Sequence, residues 1–210
     1  MIFALDSSGN STLLGLQHDG QTHELLLPDR DCLKSSFLSL LSDIGAAPMD
    51  LTAVAIGSGP GSFTGLRVGF AFAHGLARGL DISLWPVPSF EVFARNLLPK
   101  HNTVVVLARA RRDRWFAESF GAFPKPRTIL GPADLKSWLP LNCSLCGPGC
   151  ATLPDDVLRE LEPSRHIAEE RAHVPHADAL IALAVERWKD RDPLKIGDVL
   201  PDYGMDFGAN

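Results

Sequence analysis

Cysteine is scarce in this chain of 210 residues: there are four, alongside one tyrosine and three methionines. Cys143, Cys146 and Cys150 lie close together, which in a chain of this size fits reduced thiols rather than a disulfide framework. Cys143 and Cys146 have C-x-x-C spacing, but no second such pair completes the four ligands of a closed zinc site, so no metal is expected. A basic surplus is also missing. The formal net charge of -5 excludes a protein that holds nucleic acid by bulk electrostatics and leaves any RNA contact indirect or shared. No apolar run approaches the roughly 18 residues that span a bilayer, and Met1 to Leu5 carries no basic signal region. The expected location is cytoplasmic, with no membrane partner.

Catalytic signatures are missing too. The seven histidines form neither H-x-x-x-H nor H-E-x-x-H, and His173 and His176 straddle Pro175, a poor platform for two ligands on one helix face. There is no G-x-S-x-G elbow and no Gly-Lys-Ser/Thr after a glycine loop, and Ser62 stands where a dinucleotide fingerprint has its third glycine. No catalytic residue is assigned. The composition, 45% hydrophobic and 21% charged, is that of a globular protein able to form one large domain or two small lobes.

What the chain does have is Gly57-Ser58-Gly59-Pro60-Gly61-Ser62-Phe63-Thr64-Gly65-Leu66-Arg67, between an apolar strand and an alanine-rich helix. Glycine, proline and serine allow tight turns and leave amides exposed at a helix start, so Gly59, Gly61 and Ser62 either meet an anion or turn a corner. Asp6 sits at the end of the first strand and Ser7 and Ser8 follow it in a turn, which is either a solvated hairpin turn or a pair similar to the one that holds metal and phosphate in two-lobed ATPases of the actin and sugar-kinase type. On the following helix, Thr64, Arg67, Ala71, His74 and Arg78 fall within an arc of roughly 80°, and the rest is apolar or small. So narrow a polar stripe implies burial on two sides, by the parent sheet and by another lobe or another protein. Gly65, Gly69, Ala73 and Ala77 add a ridge of small residues for close approach. The interface candidates are Thr64, Arg67, Phe70, Ala71, Ala73, His74 and Ala77, and Ala73→Glu is expected to weaken association without unfolding the chain.

Periodicity predicts strands at Ile2 to Leu5, Ser11 to Gln17 and Gln21 to Leu27, and a helix from about Cys32 to Ile44 after Pro28, Asp29 and Asp31. A strand at Ala53 to Gly57, the helix Thr64 to Gly79, a strand at Ser83 to Val87 and a helix from a capping Ser89 to Asn96 follow. The order βββαβαβα is that of a ribonuclease-H-like lobe. A second series has strands at Thr103 to Ala108, Trp115 to Phe120, Thr128 to Leu130 and Cys143 to Cys146. Its helices are Pro132 to Leu139, Pro154 to Leu161 and His176 to Lys189, and Pro193 to Asn210 reads as loop or a loosely docked tail. This half is a shortened echo of the first, giving an α/β chain with lobes at 1-98 and 99-210. Arg109, Arg111, Arg112 and Arg114 crowd one strand end, as a solvated hairpin tip or a receiver of RNA phosphate or an acidic surface.

Asp6-Ser7-Ser8, the string Gly59 to Arg67, Val87-Pro88-Ser89-Phe90-Glu91 and Pro175-His176-Ala177 together resemble the TsaB (YeaZ) family, bacterial partners in making threonylcarbamoyladenosine in transfer RNA. The resemblance implies an actin-like ATPase (ASKHA) fold of two ribonuclease-H-like lobes. It implies a non-catalytic scaffold that pairs, through first-lobe helices, with a TsaD-like catalytic subunit and recruits a TsaE-like ATPase, with a homodimer when alone. ATP or ADP with Mg would belong to the complex, and tRNA contact would be indirect. Where the family has a D-A-R-x-G-E-like segment, this chain has Arg109-Ala110-Arg111-Arg112-Asp113-Arg114. The rival reading is a small ATP-binding phosphotransferase or ATPase using Asp6 and the glycine turns.

Overall fold

A computed structural model of the protein describes residues 1–28, 32–98, 100–160, 165–168 and 173–204. Asp29, Asp31, Leu161 and the tail beyond 204 lie outside them. The chain forms two compact units, Met1–Val92 with Pro175–Asn210, and Phe93–Val174.

The first unit opens with strands β1 (Ile2–Asp6), β2 (Thr12–His18) and β3 (Gln21–Leu27), then helix α1 (Leu33–Asp43), β4 (Ala53–Gly57), α2 (Phe63–Leu80) and β5 (Ser83–Val87). The sheet order is β3-β2-β1-β4-β5, with β1, β4 and β5 parallel and the β1-β2-β3 meander antiparallel. Alternation along each strand sorts side chains between two faces. Phe3, Leu5, Leu14, Leu16, Val54, Ile56 and Leu84 form one core with Leu33, Phe37, Leu40 and Leu41 of α1 and Leu66, Phe70, Ala73 and Ala77 of α2. The opposite face carries Ala4, Leu13, Ala55 and Val87 and packs against a helix from the far end of the chain, α6 (Ala177–Trp188).

That packing corrects the placement of the last helix in the second lobe. Small residues on this face let α6 come close: a Cβ on Gly15 would lie 2.3 Å from the Ala177 Cβ. Glu24, opposite Gly15 in the register, accepts from the Ala177 amide at 3.0 Å and pairs with His176 at 3.0 Å. It satisfies a donor that the start of a helix leaves open. At the other end Trp188 Nε1 donates to the Pro86 carbonyl at 2.8 Å and Arg187 pairs with Glu91 at 2.7 Å. A carboxylate 152 residues upstream thus caps this helix, which no local pattern could reveal.

The tail is also more ordered than its Gly and Pro content suggests. A short 3-10 turn at Ile196–Asp198 leads to Val199, which is buried in the same core as α2. His74 Nε2 lies 2.9 Å from the Val199 carbonyl, the Asp202 amide donates to the Ser58 carbonyl at 2.7 Å, and the rings of Phe63 and Tyr203 are 4.9 Å apart.

The chain passes between the units in α3 (Ser89–Leu97). The second unit holds β6 (Thr103–Arg109), β7 (Trp115–Gly121), β8 (Lys125–Leu130), α4 (Pro132–Trp138), β9 (Cys143–Cys146), α5 (Asp155–Glu160) and β10 (Arg165–Ile167). Its sheet order, β10-β9-β6-β7-β8, repeats that of the first sheet: a central strand, an antiparallel meander on one side and parallel strands on the other. The sequence reading missed β10 and the first half of β8, where Lys125-Pro126-Arg127 reads as loop. Proline and basic residues suit an edge strand, which β8 is. Val105, Leu107, Trp115, Leu135, Leu145, Cys150 and Val157 fill the core under α4 and α5.

Candidate functional site

Asp6 ends β1 with its side chain sealed from solvent. Its Oδ1 accepts from the Ser8 amide at 2.8 Å, while Oδ2 faces the backbone of Gly57, where a Cβ would come within 2.0 Å. Burial raises the carboxyl above its ordinary 3.8, against hydrogen bonds from Ser8 and Ser89 that lower it. Ser7 is buried and its hydroxyl donates to the Gly65 carbonyl at 2.8 Å, with Gly69 so close that a Cβ would lie 2.2 Å from Ser7 Oγ. The turn after β1 and the loop before α2 therefore form one knot.

Four of the amides along the loop and the start of α2 are engaged within the chain. Ser58 donates to the Val87 carbonyl, Gly59 to Ser89 Oγ at 3.0 Å, Ser62 to the Ser8 carbonyl at 2.7 Å and Gly65 to Ser62 Oγ at 3.2 Å. Ser62 is thus the N-cap of α2. Ser89, expected as the cap of α3, uses its hydroxyl to accept from Gly59 instead. Gly59 itself has φ +99 and packs beneath Asp202, so the glycine there serves a left-handed, crowded corner.

The interface candidates separate into two sets. Phe70, Ala73 and Ala77 are buried in the chain's own core, and Gly65 and Gly69 with them. The ridge of small residues therefore faces the parent sheet and the Ser7 turn. This corrects the expectation that Phe70, Ala73 and Ala77 are available to a partner and that Ala73→Glu would leave the monomer folded. Thr64, Arg67 and Ala71 are exposed, and His74 is half-buried against Val199. Arg78 of the polar stripe is exposed as expected, and so are Phe63 and, against the expectation that the rest of the helix is covered, Val68, Gly75 and Gly79.

Helix α1 lies next to α2, with the rings of Phe37 and Phe72 5.6 Å apart. Its exposed side offers Ser35, Leu38, Ser39 and Ser42. Leu38 is 44% exposed and Val68 36%. The outer face of the pair is thus made largely of small and apolar groups, with Lys34, Asp43, Arg67 and Arg78 as its charges.

The thiols of the second unit are buried, and burial pushes Cys146 well up and Cys150 to about 12, so neither offers a thiolate near neutral pH. Among the described residues no group of three His, Cys, Asp or Glu side chains could hold a metal ion, and no helix is long and apolar enough to cross a membrane.

A family model described as TsaD, tRNA N6-adenosine threonylcarbamoyltransferase, matches residues 31–125. The tRNA threonylcarbamoyladenosine biosynthesis protein TsaB of Bacillus subtilis is 47% identical over 58 residues, 28% of this chain and 25% of that protein. TsaB of Haemophilus influenzae is 33% identical over 144 residues, 61% of each chain. The solved structure of YeaZ from Pseudomonas aeruginosa superposes with a TM-score of 0.77 at 22% identity, over 96% of this chain and 99% of that one. Over these stretches the chain is similar to the TsaB (YeaZ) proteins. The aligned stretches span between 25% and 61% of these two TsaB proteins, and the YeaZ likeness extends the shared fold across both units. TsaB relatives are named for a biosynthetic role in tRNA modification.

Proposed function

We propose that this chain is a non-catalytic subunit in the making of threonylcarbamoyladenosine in transfer RNA, holding a TsaD-type catalytic subunit in a competent arrangement and recruiting a TsaE-type ATPase. The observation that carries this reading is the outer face of α1 and α2. Leu38, Val68, Ala71, Gly75 and Gly79 are exposed there with few charges between them, and a low-profile helix pair of this kind suits close packing by another helix pair. The resemblance to the TsaB family supplies the kind of partner. The two sheets share one strand order, which supports an actin-like arrangement of two ribonuclease-H-like lobes. In the absence of TsaD the same face would join two copies of the chain. The setting is the cytoplasm, ATP or ADP with Mg belongs to the assembled complex, and tRNA is met mainly through the partners.

The rival, an ATPase or phosphotransferase working at Asp6, has less support. A nucleotide cradle needs free amides and a reachable carboxylate, whereas the amides of Ser58, Gly59, Ser62 and Gly65 bond within the chain and Asp6 is sealed. Asp6, Ser7, Gly59, Gly61 and Ser62 thus read as a structural corner.

The test is co-purification with the TsaD-type protein of the same genome, with affinity measured by titration. Ala71→Glu, on the exposed face, is expected to weaken association at least about tenfold, since a charge would be buried without a partner, and to leave the monomer's unfolding midpoint nearly unchanged. Unchanged affinity for both Ala71→Glu and Val68→Glu would overturn this face as the interface. Ala73→Glu is unsuitable, because Ala73 is 0% exposed and the substitution would break the core first.

A further inference from the structure

The hairpin between β6 and β7 occupies, in the second sheet, the place that the Asp6 turn occupies in the first: each follows the central strand and leads into its antiparallel neighbour. The first is sealed beneath the loop before α2. The second is open, and Arg109, Arg111, Arg112 and Arg114 are all exposed. Four guanidinium groups here face one carboxylate within the tip, Asp113, which pairs with Arg109 at 2.9 Å. Arg111, Arg112 and Arg114 make no ion pair among the described residues.

The tip is also held in shape. The Ala110 amide donates to the Arg114 carbonyl at 2.8 Å, and Arg112 and Asp113 both adopt left-handed backbone, with φ 57 and 51. An aspartate tolerates that conformation better than most residues, and its pairing with Arg109 secures it. The aromatic residues that follow, Trp115 and Phe116, are buried and offer no stacking platform. Unpaired arginines without an exposed ring suit phosphate oxygens rather than bases. In a chain of net charge -5, such a contact has to be local.

We propose that Arg111, Arg112 and Arg114 form a direct, sequence-independent contact with the phosphate backbone of RNA. This rests on the tRNA-modification reading and adds to it a touchpoint on this chain itself. It positions RNA and does not read it.

The probe is a labelled, unmodified tRNA transcript titrated with the full chain, alone and with its captured TsaD-type partner, across a salt series. The triple variant Arg111→Gln, Arg112→Gln, Arg114→Gln is expected to bind about tenfold or more weakly at low salt. Its log-affinity slope against log salt should be shallower by about 2 to 3, as loss of three phosphate contacts requires. A charge-matched control, Lys189→Gln, Arg191→Gln, Lys195→Gln, at exposed positions outside the α1 and α2 face, should stay near wild type if the contact is local. Equal losses in both triple variants would overturn the inference, as would an unchanged slope in the tip variant or no RNA binding by wild type in either setting. Polyglutamate competing as well as tRNA, phosphate for carboxylate, would also overturn it, in favour of an acidic protein surface. Partner affinity, read separately through Ala71→Glu, decides the scaffold reading without reference to the tip.

Discussion

A carboxylate at the end of a central strand invites a catalytic reading, yet Asp6 has the surroundings of a group built into a corner. Burial raises its pKa above 3.8, while Ser8 and Ser89 pull the other way. Between 3.8 and the raised value the folded chain keeps a proton that the unfolded chain has released. Stability in that window therefore falls as pH rises, and the contribution is fully present only below 3.8. Asp6→Asn removes the charge and keeps the oxygen that accepts from Ser8. The variant is expected to match or exceed wild-type thermal stability at neutral pH, with an advantage that shrinks as pH is lowered through the window. A variant clearly less stable than wild type at pH 7 and above would show that the ionised carboxylate has a favourable partner in the fold. Asp6 itself was visible in the sequence as a strand-end acid. Its burial was not, because that depends on Gly57, Gly61 and Gly69 closing over the turn from distant positions.

At the scale of elements, strands and helices with strong periodicity were legible: β3, β4, β5 and β9 fall where their apolar runs end, and α1 and α2 within a residue or so. The misses have physical causes. An edge strand such as β8 needs no apolar alternation, and the three residues of β10 are too few to show one. The α2 helix shows the limit of an arc argument. Val68, Gly75 and Gly79 are apolar or small, so they read as buried, but they are exposed, because the neighbours of α2 within the unit, the sheet, α1 and the tail, cover its other sides. The counterpart is α6, whose alanines match small residues on the sheet: Gly15 faces Ala177. Gly15→Ala would set two Cβ atoms 2.3 Å apart, which real contacts do not permit. It is expected to destabilise the fold by about 1–3 kcal/mol through overpacking, measured as a lower urea midpoint at constant m. Relief of much of that loss by a compensating Ala177→Gly would locate the strain in this contact.

At the scale of the whole molecule, the first unit is discontinuous in sequence. Its sheet has one face under α1 and α2 and the other under α6, and Val199 returns to the first core from the tail. A division at residue 98 would strip α6 from a face bearing Ala4, Leu13, Ala55 and Val87, all 0% exposed in the intact fold. Uncovering that surface costs roughly 25 cal/mol for each Å² of apolar area, in a domain whose margin is only about 5–15 kcal/mol. Residues 1–98 alone are therefore expected to give no cooperative urea transition and to aggregate. Joining 1–92 to 175–210 through a short glycine-serine linker restores the helix and the tail. Val92 and Ala177 share one core, so the joint need not be long. That chimera is expected to show a single cooperative transition and dispersed amide resonances. If residues 1–98 alone unfold cooperatively with the same midpoint as the chimera, α6 is a passenger on the sheet rather than its second layer.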